Sequence, residues 1–176
     1  MKLTLPAVAV PPTEIATPEG ALILPGTVLP ERMIEIDPGE IRALISAARA
    51  AAGRCYAPYS KFPVGAALVM DDDPRATVFT GANVENSSFG GTVCAERTAL
   101  FAAVAQGFRR LRLLAVSAER TRHDVLATRA PCGICRQAVR EFAGPESLVV
   151  IDSGRDHTLG EIFDIDRLLP FGFHLS

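Results

Sequence analysis

The sequence predicts an α/β protein, a layered domain with one mixed sheet. Three observations support it. A stripe of apolar residues at helical spacing begins near residue 37, apolar runs of strand length alternate with helical segments after it, and two such runs flank a polar turn. With 176 residues the chain can bury one substantial core and is short for two.

Residues 1–36 hold six of the thirteen prolines and no clean periodicity. They read as a proline-rich N-terminal arm, extended rather than folded, with apolar pieces such as GALILPGTVL suited to lying on a neighbouring surface. The domain is expected over 37–176. Asp37 can cap a helix, Pro38 suits its first position, and Glu40 stands where a capping box needs it. Ile41, Leu44, Ile45, Ala48, Ala52 and Cys55 then share one face, and the helix should end near residues 53–56.

FPVGAALVM at 62–70 reads as a buried strand, and ATVFTGANVE at 76–85, after the turn DDDP, as its hairpin partner. A helix is expected from Cys94 to Gln106 with Gly107 as its stop. LRLLAVSA at 111–118 is a strand, and PCGICRQAVREF at 131–142 opens a helix, with Gly144 beyond its end. SLVVIDS at 147–153 is a further strand, HTLGEIF at 157–163 a fifth strand or a loop, and DIDRLLPFGF a brief helix halted by Pro170. No G-x-G-x-x-G joins a strand to a helix, which argues against a dinucleotide-binding fold.

Composition narrows the function. The balance of 18 Lys plus Arg against 20 Asp plus Glu, with 48% hydrophobic residues, describes an ordinary globular chain and gives no basic strip for nucleic acid. Prolines 6, 11 and 12 interrupt the N-terminal apolar stretch, and no run of 18 apolar residues occurs elsewhere, so no membrane partner is expected and the cytoplasm is the expected compartment. Reduced thiols follow from that compartment.

Three of the four cysteines carry the chemistry. A C-x-x-C pair at Cys132 and Cys135, 38 residues after a separate Cys94, is a metal or redox arrangement. All three fall at predicted helix starts, where unpaired N–H groups stabilise thiolates. Three thiolates leave the fourth tetrahedral position of a Zn²⁺ ion open, as catalytic rather than structural sites do. Glu96, two residues after Cys94, suits a proton carrier. Three thiolates make a formally anionic centre, so compensating charge is needed, and Arg97 and Arg136 are candidates to donate to the sulfurs; the alternative for each is an ordinary surface ion pair. Cys55 is either a small core residue or a fourth ligand. His123, His157 and His174 share no spacing with the cysteines, although His123 precedes Pro131 and lies near the expected pocket mouth. Two other readings remain open on the residues alone: a redox pair, which leaves Cys94 and Glu96 unused, and a structural zinc clip, which lacks a fourth ligand.

CAERTAL at 94–100 with PCGICRQAVREF at 131–142 resembles the zinc-dependent cytidine deaminases of the small homotetrameric type. CYAPYSKFPVGAAL at 55–68, GANVENSSFG at 81–90 and LLPFGF at 168–173 are similar to further segments of that family, so the resemblance spans residues 38–173. It implies a three-layer α-β-α fold on a central mixed five-stranded sheet. It also implies Zn²⁺ on Cys94, Cys132 and Cys135 and Glu96 as the catalytic acid and base. Phe62 would pack on the pyrimidine, Asn83 and Glu85 would hold the ribose hydroxyls, and the Ala95 N–H and Ala130 carbonyl would orient the base. Phe89 would stand at the pocket wall, in part that of a neighbouring subunit.

The implied reaction is hydrolytic deamination of cytidine and deoxycytidine in pyrimidine salvage, on a small-molecule nucleoside, by a homotetramer. From the residues alone Phe62 also suits core packing, Asn83 a turn amide, Glu85 a solvated carboxylate, and Tyr59 and Ser60 a turn cap, while Tyr56 and Tyr59 suit an interface. Ser87 and Gly91 depart from the family's usual alanine and bulkier apolar residue, which points to a wider pocket. The Gly90–Gly91 pair and APCG also resemble blasticidin S deaminases, an alternative that acts on a modified cytosine nucleoside. A catalytically inactive zinc-stabilised binding module is the alternative of a different class.

Overall fold

The computed structural model describes residues 1–18, 20–118, 126–154 and 160–174. His123 and His157 lie outside the described residues. The chain divides into two compact units, Met1–Ile36 and Asp37–Ser176.

The first unit is more ordered than the expected extended arm. Strands β1 (Lys2–Leu5), β2 (Val8–Val10) and β3 (Thr13–Thr17) pair antiparallel with β6 (Arg32–Glu35), β5 (Thr27–Leu29) and β4 (Gly20–Leu24), nested as one long hairpin. Its prolines explain both the pairing and the missing periodicity. Pro6, Pro11, Pro12, Pro25 and Pro30 fall between the three ladders, where no backbone N–H is demanded, and cut the hairpin into short pieces.

The second unit starts with α1 (Pro38–Ala52). The Asp37 side chain caps it by accepting from the Gly39 N–H at 2.8 Å. Glu40 does not close the expected capping box, because Arg112 takes its carboxylate in a two-point ion pair. Ile41, Leu44 and Ile45 are buried, each contributing roughly 1.5–3 kcal/mol of apolar transfer. The helix ends before Cys55, which is half-buried in the following turn.

Strands β7 (Val64–Met70), β8 (Phe79–Ala82), β9 (Leu111–Ala118), β10 (Ala143–Ile151) and β11 (Glu161–Phe163) form one sheet in the order β11-β10-β9-β7-β8. Only β9 and β10 are parallel; the other pairs are antiparallel, so the sheet is mixed as expected. The segment 157–163 thus contributes a strand, over Glu161–Phe163.

Two glycines fix the layers. A Cβ on Gly65 would lie 1.9 Å from the Ala48 carbonyl oxygen of α1, and one on Gly81 would lie 2.4 Å from the Ala95 oxygen of α2 (Ala95–Ala105). Gly65 stands opposite Ala82 and Gly81 opposite Ala66, so the two glycines face opposite sides of the sheet. Helix α1 therefore covers one face. The other packs Ala66, Leu68, Met70 and Leu114 against Ala99 and Leu100 of α2, Val139 of α3 (Gly133–Phe142), and Ile165 and Leu168 of α4 (Ile165–Leu168). This is the three-layer α-β-α arrangement.

One helix stop differs from expectation. Gly107 has the left-handed φ of +101° that a terminating glycine adopts, whereas α3 ends with Ala143 already extended and entering β10. Gly144 is an irregular residue of that strand, where the pairing with β9 shifts between Ala143 and Leu148. Among the described residues no helix is long and apolar enough to cross a membrane.

Candidate active site

Helices α2 and α3 begin side by side at one end of the sheet, with Cys94 and Cys132 as their N-caps and Cys135 inside the first turn of α3. Neither cap makes a side-chain hydrogen bond to its helix, which leaves both sulfurs available. The Sγ atoms of Cys94, Cys132 and Cys135 all lie within 4.8 Å of one another, and those of Cys94 and Cys132 are 3.8 Å apart. Two sulfurs on a tetrahedral ion with Zn–S bonds of ~2.3 Å stand about 3.8 Å apart, so the donor set fits zinc in type and spacing. Cys55 is not part of this cluster.

Glu96 is 3% exposed, and its Oε2 has no hydrogen-bond partner among the described residues. A buried carboxylate oxygen left open is costly unless something else engages it. Burial pushes the Glu96 carboxyl up to about 7, and the nearby Cys94 charge adds to the push. Contact with Cys135 pulls the Cys94 thiol down to about 5, against its burial and with help from Arg97; the same contact pushes Cys135 up. The cluster thus gathers negative charge on Cys94.

A cavity of about 250 Å³ joins this cluster to the loops around Phe62 and Glu85. Its wall includes Ser60, Phe62, Asn83, Glu85, Cys94, Glu96, Ala130 and Cys132, so it gathers most of the residues singled out in the sequence. Asn83, 7% exposed, accepts from the Val64 N–H at 2.9 Å and donates through Nδ2 to the Phe62 carbonyl at 3.0 Å, bracing the strand entrance that carries Phe62. Glu85 Oε2 accepts from the N–H groups of Tyr59 and Ser60 at 2.9 and 3.2 Å. The Ser60 hydroxyl and these amides hold its carboxyl below the usual range despite some burial.

The chain matches the family described as the cytidine and deoxycytidylate deaminase zinc-binding region over residues 39–151. It belongs to that family. A cytidine deaminase of Sporosarcina psychrophila is 40% identical over 136 residues, covering 76% of this chain and 91% of the relative. One from Mycobacterium tuberculosis is 42% identical over 131 residues, with 74% and 86% covered. Among solved structures, the cytidine deaminase of Burkholderia pseudomallei shares 45% identity at a TM-score of 0.64 and covers 75% of this chain and 98% of its own. That of M. tuberculosis shares 38% identity at a TM-score of 0.62, with 80% and 100% covered.

Within this member of the family Arg97 stands beside a sulfur as the sequence implied, whereas Arg136 and Phe89 stand elsewhere. Arg97 donates to the Thr92 carbonyl at 3.0 Å and approaches Cys94 Sγ at 4.0 Å, as a charge-compensating group would. Arg136 does not reach a sulfur; its Nε donates to the Pro131 carbonyl at 2.7 Å and Nη1 to that of Leu168 at 2.9 Å, tying α3 to α4. Phe89 is 74% exposed on a short 3₁₀ turn, edge-on to Tyr59 at 5.8 Å, and is not part of this chain's cavity wall. Ser87 and Gly91 are outside this wall as well. Ala95 is fully buried at the first position of α2, where N–H groups lack intrahelical acceptors. His174 is a surface residue beside Glu141.

The cavity wall also contains residues that sequence reasoning passed over: Thr92, Val116, Ala118, Thr128 and Arg129. Val116 and Ala118 were visible as strand residues, but their place at the C-terminal end of the parallel pair depends on sheet order.

Proposed function

We propose that the Asp37–Ser176 unit is a zinc-dependent hydrolytic deaminase that converts cytidine and deoxycytidine to uridine and deoxyuridine with release of ammonia. One observation carries this reading: a buried glutamate with an open carboxylate oxygen shares a cavity with three sulfurs at helix starts.

Cys94, Cys132 and Cys135 would hold the ion. When bound, it supplies the Lewis acidity that makes water a nucleophile near neutral pH. Glu96 takes a proton from the attacking water and delivers it to N3 of the ring while oxygen bonds to C4. Its protonation balance near 7 suits both acceptance and return. A second transfer through Glu96 lets the C4–N bond break, with ammonia leaving and C4 becoming a carbonyl. The Ala95 N–H and the Ala130 carbonyl orient the base, and Phe62 packs on its face. Arg97 offsets the charge of the thiolates.

Asn83 and Glu85 would hold the ribose diol. The Tyr59 and Ser60 N–H groups fall on Glu85 Oε2, and the bond to Phe62 uses one of the two Asn83 Nδ2 hydrogens, so acceptor and donor capacity remains for hydroxyls. We further place the enzyme in cytoplasmic pyrimidine salvage as a homotetramer. The resemblance supports this, as do the exposed Phe101, Ile134, Phe171 and Phe173, which offer apolar surface to other copies. A fully active monomer in a native mass measurement would remove the tetramer.

The decisive experiment is an ammonia-release panel of cytidine, deoxycytidine, 5-substituted cytidines, cytosine and blasticidin S, with bound metal quantified on the same sample. Cytidine and deoxycytidine should lead the panel with stoichiometric zinc. A lead by blasticidin S would transfer the assignment to that antibiotic. Stoichiometric zinc without ammonia from any substrate would leave a binding module.

A further inference from the structure

Arg129 is 8% exposed and lies in the cavity wall. Its Nη1 donates to the Asp152 carbonyl at 2.8 Å and to Glu161 Oε2 at 3.0 Å, while Nη2 donates to Glu161 Oε1 at 3.0 Å. The planar guanidinium thus grips a carboxylate with two parallel bonds, a contact that fixes direction as well as distance. Both anchors are sheet residues or adjoin one. Asp152 follows β10 directly, and Glu161 stands opposite Ile151 in β11.

Asp152 is itself immobilised. Its carboxylate accepts from Arg49 Nε and Nη2 at 2.7 and 2.8 Å, from the Ser117 hydroxyl at 2.7 Å, and from the Gly154 N–H at 2.9 Å. Arg129 therefore joins the cavity to a rigid corner made by α1, β9 and β10.

The segment held in this way bears the groups that matter. Residues 129–132 run in no strand ladder, and the N–H groups of Arg129 and Ala130 both donate to the Leu126 carbonyl in a turn. Ala130 and Cys132 follow Arg129 in the wall, and Pro131 offers no N–H to a partner. The pair is half-buried, with the Arg129 side chain 7% and that of Glu161 38% exposed, so it contributes to stability as well, and kinetics rather than stability separates a positioning role from a structural one.

We infer that the Arg129–Glu161 pair is a positioning device that sets where the Ala130 carbonyl meets the base of the substrate. The inference rests on the cytidine deaminase reading and deepens it. Loosening the carbonyl weakens base binding in ground state and transition state alike, which raises KM and leaves kcat nearly unchanged. A merely structural pair behaves differently: its loss lowers the active fraction, so apparent kcat falls at constant KM.

Glu161→Gln and Arg129→Lys separate the two cases, since the first removes charge from the half-exposed partner and the second keeps charge but loses the fork. Cytidine turnover, zinc content and melting temperature would be measured on the same preparations. Both variants should retain zinc, raise KM for cytidine about 5- to 10-fold, and keep kcat within about twofold of the parent. Unchanged KM in Glu161→Gln, whatever happens to melting temperature, would overturn the inference while the parent's activity upholds the deaminase reading. Parent-like constants in Arg129→Lys would overturn the geometric argument in the same way. A parent protein that does not deaminate cytidine would defeat the deaminase reading itself, and the inference with it.

Discussion

The cavity has two ends made by different means. At one, Cys94, Glu96, Cys132 and Cys135 sit at the starts of α2 and α3, and backbone geometry over a few residues sets the Cys94–Glu96 and Cys132–Cys135 spacings within each helix start. At the other, Phe62, Asn83 and Glu85 sit on loops that meet through long-range contacts: Asn83 braces the Phe62–Val64 backbone, and Glu85 braces Tyr59 and Ser60. The metal end is also buried at Glu96 and Cys135, whereas Phe62 and Glu85 are half-buried. The first end is suited to proton transfer by a buried carboxylate and the second to reversible capture of a polar sugar.

Substitutions at the two ends should therefore fail in different ways. The largest effect is expected at Glu96→Gln, which keeps fold and zinc but lowers turnover by roughly 10²–10⁴ in steady-state assays. Near-normal turnover would remove its proton-transfer role and erase the contrast. Gly81→Ala comes next. The new Cβ meets backbone at 2.4 Å on both Ala95 and Ala99, so α2 must shift, with a cost of about 1–3 kcal/mol or more in denaturant unfolding and weaker zinc retention.

At the sugar end, Asn83→Ala should cost about 1–3 kcal/mol by leaving the Val64 N–H and Phe62 carbonyl without their partner, and should raise KM as Phe62 loosens. Glu85→Gln should raise KM about tenfold with kcat largely kept. Because the folded pKa of Glu85 is depressed, its brace on Tyr59 and Ser60 is present above the ordinary glutamate pKa and is lost only as pH falls through the lower folded value. The Glu85 contribution to KM should accordingly be flat from pH ~7 to ~5, and titration of KM within that range by a group lost in Glu85→Gln would contradict this assignment. The smallest effect belongs to Phe89→Ala, where 74% exposure predicts a stability change within about 0.5 kcal/mol. A raised KM at unchanged melting temperature would mark Phe89 as part of a neighbouring copy's cavity.

The same contrast governs what could be read in advance. The helices and strands of the Asp37–Ser176 unit were legible because apolar period and cap residues act locally: Asp37 with Pro38, and Gly107 with its positive φ, mark boundaries by their own conformational limits. The N-terminal ladders were not, because prolines interrupt the alternation that announces a strand, and only the pairing of segments up to 33 residues apart in the same chain reveals them. Glu40 and Arg136 misled for a related reason. Each has the local spacing for one role, a capping box or a sulfur donor, and a distant partner engaged it elsewhere: Arg112 in the first case, the Leu168 carbonyl in the second.

By itself the sequence determined the reactive set, since three cysteines and a glutamate at helix starts have little freedom in where their side chains begin. The tertiary structure decided what those groups face. It brought the two helix starts to within bonding distance of one ion, left Glu96 Oε2 without a hydrogen-bond partner among the described residues, and anchored the Ala130 segment through Arg129 to Glu161, 32 residues away. The physical reason is range: caps and periodicity act within a few residues, whereas burial, charge pairing and cavity shape depend on which distant surfaces the sheet order brings together.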